Sequence, residues 1–285
     1  MFASPLWWDS VCKQWDVCEI SMHNDTYWMP YSIEQKWGVR IIRNPHLTPY
    51  LYLLHSQTGH VQLSHPLHHT DITSQLPAHH TLQLDFAPIY TFYPHPHNQS
   101  LRTNILPLNH QEQLYHTFKP SLKRQIKKSS TLHHIEESTD VALFYELHTR
   151  SFSKYHKKPD IALSYFESTI PLMIKEGNGK LWIAYNQQHI ALAAIFVVFD
   201  TKSAYYLSGG QHNEFKDSAA MPGLLWHAIQ FATDRGCQYF DFEGSMVDSI
   251  HQFFQNFKAH ITNYNRIHTN DSLLYSVYQK IKNAI

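Results

Sequence analysis

Two short stretches in the second half of the chain carry the residue types best suited to chemistry. Tyr205-Tyr206-Leu207-Ser208-Gly209-Gly210 and Tyr239-Phe240-Asp241-Phe242-Glu243-Gly244-Ser245 each read as a strand ending on glycine, with a helix-like segment between them. That order sets two neighbouring strand ends and a helix start around one cleft. Where such strands part, a main-chain N–H near Leu207, Ser208 or Gly209 can polarise an acyl carbonyl, and glycine lets a substrate approach closely. Glu243 is the first candidate for a general base, directly or through water, and Asp241 the second. Strand alternation predicts Tyr239, Asp241 and Glu243 on one face and Phe240 and Phe242 on the other. Tyr206 and His212 can donate to a leaving group or position a substrate. The chemistry of such a set is attack of a neutral amine on a thioester or ester. The structural alternative is that the carboxylates bond to lysines or loop amides and that Tyr206 is plain core.

A second feature is electrostatic. Lys119, Lys123 and Lys127 recur at helical spacing, Arg124 and Lys128 form the adjoining row, and residues 113–135 contain no acid. Such a stripe can bind phosphates of tRNA, of a nucleotide-linked precursor or of coenzyme A, and it can equally be a solvated helix face.

The elements that must position these residues follow from periodicity. Residues 1–108 read as β-structure with small helices. Thr81–Phe86 alternates as a half-buried strand, with Leu101–Leu106 as its partner. From Asn109, an N-cap with Glu112 as the capping-box acid, a helix bent at Pro120 runs to about Lys128. Thr131–Glu136 is a short strand, Asp140 caps a helix bearing Leu143, Phe144, Leu147 and Phe152, and a further helix covers 161–175. A hairpin pairs 181–185 with 190–199. The strand 204–208, the helix from Ala219 to Arg235 stopped by Gly236, the strand 239–243, a helix over 249–257, a strand over 261–267 and a helix from Asp271 complete the order.

The bulk composition narrows the classes. With 285 residues, 43% of them hydrophobic and 14% aromatic, the chain can bury a large core in one or two domains. Cys12, Cys18 and Cys237 give an odd count without paired spacing, as in a reducing compartment. Residues 1–8 show no basic leader followed by an apolar run, so no secretory signal or transmembrane segment is expected, and the expected location is cytoplasmic. Lysine plus arginine balances aspartate plus glutamate at 23 each, so contact with a polyanion must be local, and no DNA partner is expected. The 23 histidines include His68-His69, His79-His80 and His133-His134, but none shows the spacing of a zinc motif, and no metal is expected. Trp7, Trp8, Trp15, Trp28 and Trp37 either fill a core or line a sugar or peptide groove. No Ser-His-Asp arrangement, Walker loop or GxGxxG supports a hydrolase, kinase or dehydrogenase.

Four segments together resemble the Fem-type acyltransferases of the GNAT superfamily. They are Leu122–Lys128, Leu181–Ala194, Tyr205–Gly210, and Tyr239–Ser245 with Phe253-Phe254-Gln255-Asn256-Phe257; Pro45–Tyr50 resembles the first domain of bacterial members. The resemblance implies an α/β fold with mixed sheets: tandem GNAT-like domains, each a splayed central sheet flanked by helices. A diverged lobe over 1–110 would precede an acyltransferase domain over 111–285. It implies an N-acyltransferase moving an acetyl, other acyl or aminoacyl group by direct transfer from acyl-CoA or aminoacyl-tRNA to an amine on a small molecule or a cell-wall or glycan precursor. Acetyltransferases of the superfamily hold the coenzyme A pyrophosphate on a glycine-rich loop, whereas Gln211–Ala220 here reads QHNEFKDSAA without glycine. That departure favours an aminoacyl-tRNA donor. It also keeps open a non-catalytic binding module for a peptide, glycan or protein partner.

Overall fold

The structure, a computed structural model, describes residues 1–59, 63, 65–108, 111–153, 159–212, 214–215, 219–243, 246–273 and 275–277. The expected cap at Asn109, the break at Gly244-Ser245 and much of the C-terminal helix from Asp271 lie outside the described residues. The described chain divides into two compact units, Met1–Arg102 with Asn263–Ile285, and Thr103–Thr262.

The first unit opens with α1 (Pro5–Val11), β1 (Asp16–Met22), β2 (Asp25–Tyr31), β3 (Ile33–Lys36), β4 (Val39–Arg43) and β5 (Leu54–His55). It continues through α2 (His69–Thr73) and β6 (Thr81–Phe86) into β7 (Asn98–Pro107). β1, β2 and β5 make one antiparallel sheet. The Ser4 side chain and Pro5 start α1, which drives Trp7 and Trp8 into the core, where their indole N–H groups donate to Thr48 Oγ1 (2.9 Å) and the Phe2 carbonyl (2.8 Å). These two tryptophans are core, while Trp28 and Trp37 are exposed.

The second unit adds α3 (Gln111–Thr117), α4 (Pro120–Leu132), β8 (His134–Ser138), α5 (Val141–Ser153), α6 (Leu163–Lys175), β9 (Gly179–Tyr185), β10 (Ala191–Phe199) and β11 (Ser203–Gln211). α7 (Ala220–Asp234), β12 (Tyr239–Asp241) and α8 (Asp248–Phe254) follow, the last running into a 3₁₀ turn over Gln255–Phe257. β13 (His260–Asn270) returns to the first unit, where it pairs antiparallel with β6, while β4 pairs β6 in parallel. The neighbours of β6 are therefore β4 and β13, not the expected 101–106. Short-range alternation reveals a strand without naming its partner.

Pro120 breaks the single bent helix that the sequence predicts. It has no N–H to donate and fits only the first helical turn, so α3 and α4 are separate helices and Lys119 is the N-cap residue of α4. α4 then runs on to Leu132 and delays the next strand to His134. Asp140 does cap α5, its Oδ1 accepting the Leu143 N–H at 2.8 Å.

Strand order in the second unit is β7-β12-β11-β10-β9-β8. β10 is buried along nearly its whole length, as a strand covered on both faces must be. Ile195, Val197 and Phe199 join Trp182, Leu224, Leu225 and Ile229 in a core beneath α4 and α7. On the other face α6 lies so close that a β-carbon at Gly179 would stand 2.7 Å from the Met173 β-carbon. α5 covers β11 on this face, its backbone at Leu147 and His148 occupying the space a side chain at Gly210 would need.

Candidate active site

β11 and β12 run parallel and are in register only over Ser203↔Tyr239, Ala204↔Phe240 and Tyr205↔Asp241. Beyond Asp241 the chain follows β7 instead, and the Phe242 N–H donates to the Asn104 carbonyl at 2.9 Å. β11 continues to Gln211 without it. The two strands thus part after Tyr205.

A second irregularity falls at the same point. Pairing of β11 with β10 steps from Phe196↔Ser208 to Val197↔Tyr206, so Leu207 is the extra residue of a β-bulge, which removes one residue from the ladder and re-aims its neighbours. A β-carbon on Gly209 would overlap the Tyr206 hydroxyl and approach the Ala194 carbonyl to 3.0 Å. Glycine at 209 is what allows the Tyr206 ring to lie back along its own strand.

Glu243 stands at the head of the opening in an unusual backbone state, φ +60°, a left-handed conformation seldom taken by a non-glycine residue. Its Oε1 is buried and has no hydrogen-bond partner among the described residues. Burial, and secondarily the Asp241 charge, push its carboxyl well above the ordinary range. Burial and then the Glu243 charge raise the Tyr206 hydroxyl as well, so Tyr206 stays a proton donor.

Asp241 has a different task. Its Oδ1 accepts the Thr103 hydroxyl at 2.6 Å and the Glu243 main-chain N–H at 2.8 Å, and the residue is 3% exposed. Tyr239 is 43% exposed, so the expected polar face of Tyr239, Asp241 and Glu243 does not form. β12 ends at Asp241, and the left-handed turn at Glu243 breaks the alternation.

His212 is not brought to this centre. It lies at the far end of β11, roughly 20 Å from Tyr206 at about 3.3 Å per residue, and its Nε2 contacts the Arg150 guanidinium of α5. Of the basic row, Lys119, Arg124, Lys127 and Lys128 are exposed, and Lys123 Nζ donates to the His116 carbonyl at 3.2 Å. Lys119 lines a cleft of about 410 Å³ with Ser249, Gln252, Phe253, Gln255 and Asn256.

Several residues around the opening carry no signal in the sequence. Thr103 and Asn104 of β7 are fully buried, and Gln255 Nε2 donates to Asn104 Oδ1 at 2.8 Å. On the α5 face, His148 Nδ1 lies 3.1 Å from both the Gly209 carbonyl and Ser208 Oγ, while its Nε2 is buried and without a partner among the described residues. Burial lowers the proton affinity of His148 and keeps the ring neutral. No spacing connects Thr103 or His148 to β11, because these partners meet only through the tertiary fold.

The α7 start tests how well a pyrophosphate would be held. Pro222 occupies the third helical position and offers no N–H, Ala219 enters with φ +57° and no side-chain cap, and Gln211–Ala220 has no glycine. This end of α7 fits a coenzyme A pyrophosphate poorly.

Residues 117–249 match the family described as Acetyltransferase (GNAT) domain. Among solved structures, FemX aligns over 99% of this chain and 94% of its own, at 13% identity and a TM-score of 0.64. The C-terminal domain of a putative lysylphosphatidylglycerol synthetase from Agrobacterium fabrum covers 97% and 94% at 9% identity and TM-score 0.52. L-PGS from Bacillus licheniformis covers 92% and 87% at 10% identity and TM-score 0.53. No curated protein matches the sequence. Residues 117–249 thus resemble a GNAT-type domain, and the chain as a whole shares the mixed α/β fold of FemX. No described helix is long and apolar enough to cross a membrane.

Proposed function

We propose that the protein is an N-acyltransferase that moves an acyl or aminoacyl group directly from an activated ester or thioester to an amine. The observation that carries this reading is the parting of β11 and β12 after Tyr205, followed by Glu243 with a buried oxygen that has no partner among the described residues. In this reading the main chain at Leu207, Ser208 and Gly209 faces the donor carbonyl and stabilises the oxyanion. Glu243 takes the proton from the attacking amine, directly or through water, and burial raises its proton affinity, which makes it a stronger base than an exposed carboxylate. Tyr206 gives a proton to the departing group. Asp241 positions Glu243 by accepting its main-chain N–H, and Thr103 positions Asp241. Lys119, Arg124, Lys127 and Lys128 bind carrier phosphates, with Lys123 bracing the helix start.

The glycine-free loop and Pro222 favour an aminoacyl-tRNA ester over acyl-CoA as donor. The likeness to FemX and to a lysylphosphatidylglycerol synthetase supports an aminoacyl donor and a cell-wall or lipid-linked substrate. The same loop is what favours the rival reading, a GNAT-fold module that binds a partner without catalysis. Incubation of the protein with aminoacyl-tRNA or acetyl-CoA and a panel of amines, read by mass spectrometry, separates the two. Acylated amine with unmodified protein supports direct transfer. A stable acyl group on Cys237 contradicts the direct route, and no product with no binding of either donor supports the binding module.

A further inference from the structure

Among the described residues, the ligand atoms of His134, Glu136 and His189 lie within 4.8 Å of one another. We propose that these three side chains form a site for a borderline divalent ion such as Zn²⁺, Ni²⁺ or Cu²⁺, with its remaining position open to solvent. Two imidazoles and one carboxylate suit such ions, whereas Mg²⁺ and Ca²⁺ prefer all-oxygen shells.

The local structure sets each ligand. The doublet His133-His134 is divided between two elements: His133 Nδ1 faces Ser129 Oγ of α4 at 3.1 Å, and His134 begins β8. Alternation along β8 then puts His134 and Glu136 on one face, with Nε2 and Oε1 3.2 Å apart. That matches the ligand-to-ligand edge of about 3.3 Å in a tetrahedral site with bonds of about 2.0–2.1 Å.

His189 comes from the turn between β9 and β10. Asn186 Oδ1 accepts the N–H groups of Gln188 (3.0 Å) and Ile190 (2.9 Å), the His189 N–H donates to the Asn186 carbonyl at 3.0 Å, and His189 takes φ +57°. Its ring stacks on Tyr185 at 4.4 Å and 3°. Tyr185 is the register partner of His134, and those rings lie 5.4 Å apart at 17°. The His134 and His189 rings consequently stand 5.5 Å apart at 14°. All three ligands are exposed, so an ion has access, and rotation of exposed side chains can close the remaining gap of about 1.5 Å to bonding geometry.

An ion here ties β8, the terminal strand of this unit's strand order, to the β9–β10 turn. β8 is three strand spacings from β11, about 14 Å, so the site stands apart from the transfer centre and its test is independent of the acyltransferase reading.

The experiment uses the full chain, stripped of metal by chelation and titrated with Zn²⁺ by calorimetry, alongside thermal unfolding with and without the ion. The wild type is expected to show one site tighter than the background of its other histidines, a higher Tm with Zn²⁺ and no response to Mg²⁺. H189A and E136Q are each expected to weaken that site by at least about tenfold, the loss seen even for an outer-shell partner, while their metal-free Tm stays at the wild-type value. In Cu²⁺-loaded protein, the electron paramagnetic resonance spectrum should show two nitrogen ligands in wild type and one in H189A. Equal Zn²⁺ affinity and stoichiometry in wild type, H189A and E136Q would overturn the proposal.

Discussion

The Asp241 carboxylate accepts the main-chain N–H of Glu243 at 2.8 Å, so one acid holds the next in a left-handed turn that points it away from the strand. Through its bond from Thr103, Asp241 also anchors this turn to β7. Of the two neighbouring carboxylates, one is spent on geometry and the other keeps an oxygen without a partner among the described residues. Replacing Asp241 with Asn keeps the shape but weakens acceptance of both bonds. Transfer activity should fall through misplacement of Glu243, and D241N should shift the pH–rate profile less than E243Q does.

The Glu243 carboxyl should reveal itself in stability as well as in activity. Its proton affinity is raised in the folded chain and ordinary, near pH 4.5, in the unfolded one. Above pH 4.5 the unfolded chain has therefore lost a proton that the folded chain retains, and stability falls with rising pH until the folded group ionises. E243Q removes this penalty. Its Tm should exceed that of wild type by a margin that grows from pH 4.5 upward; a constant difference, or none, would show that Glu243 is not perturbed as described.

Gly209 and Tyr206 should be coupled. A β-carbon at 209 meets the Tyr206 hydroxyl, so G209A should destabilise the fold by about 1–3 kcal/mol, the usual cost of overpacking. Y206F removes the hydroxyl and should recover part of that loss, leaving the approach to the Ala194 carbonyl uncorrected. Denaturant unfolding of the two single variants and the double variant gives the coupling. Strict additivity would mean that the two groups do not touch.

Acid should weaken the second unit through buried imidazoles. Burial lowers the proton affinity of His148 and His227 below the ordinary histidine value of 6.5, so the unfolded chain binds protons that the folded chain refuses. Their contribution is intact above pH 6.5 and diminishes as pH falls below it. Between pH 7.5 and 5 the Tm of wild type should therefore fall relative to that of H148Q, whatever the opposing contribution of Glu243 does to both.

If α4 binds a phosphate carrier, R124A/K127A should weaken tRNA affinity and lower the slope of log K against log salt by about 0.7–0.9 for each phosphate left without its cation. Both residues are exposed, so the fold should be unaffected. An unchanged slope would make the stripe a solvated face.

Local signals make much of the second unit legible in the sequence. Asp140 reads as a cap and is one, and the apolar runs 181–185 and 190–199 read as the hairpin they form. Other features depend on tertiary neighbours. Nothing near Leu207 announces a bulge, which arises from its register with β10, and the position of Glu243 depends on bonds from Asp241 and Thr103. His189 meets His134 and Glu136 only because β8 lies beside β9, so spacing along the chain cannot reveal that cluster. His212 shows the converse: close to Tyr206 in sequence, it is carried away by an extended strand.

The central claim is that Glu243 removes the amine proton at the parted strands. The most direct measurement is single-turnover transfer from aminoacyl-tRNA or acetyl-CoA to an amine, across pH, for wild type and E243Q. The expected result is loss of about 10²–10⁴-fold in rate for E243Q, little change in donor affinity and disappearance of the limb of the pH profile that belongs to the base. Transfer by E243Q at the wild-type rate, with the same pH profile, would contradict it.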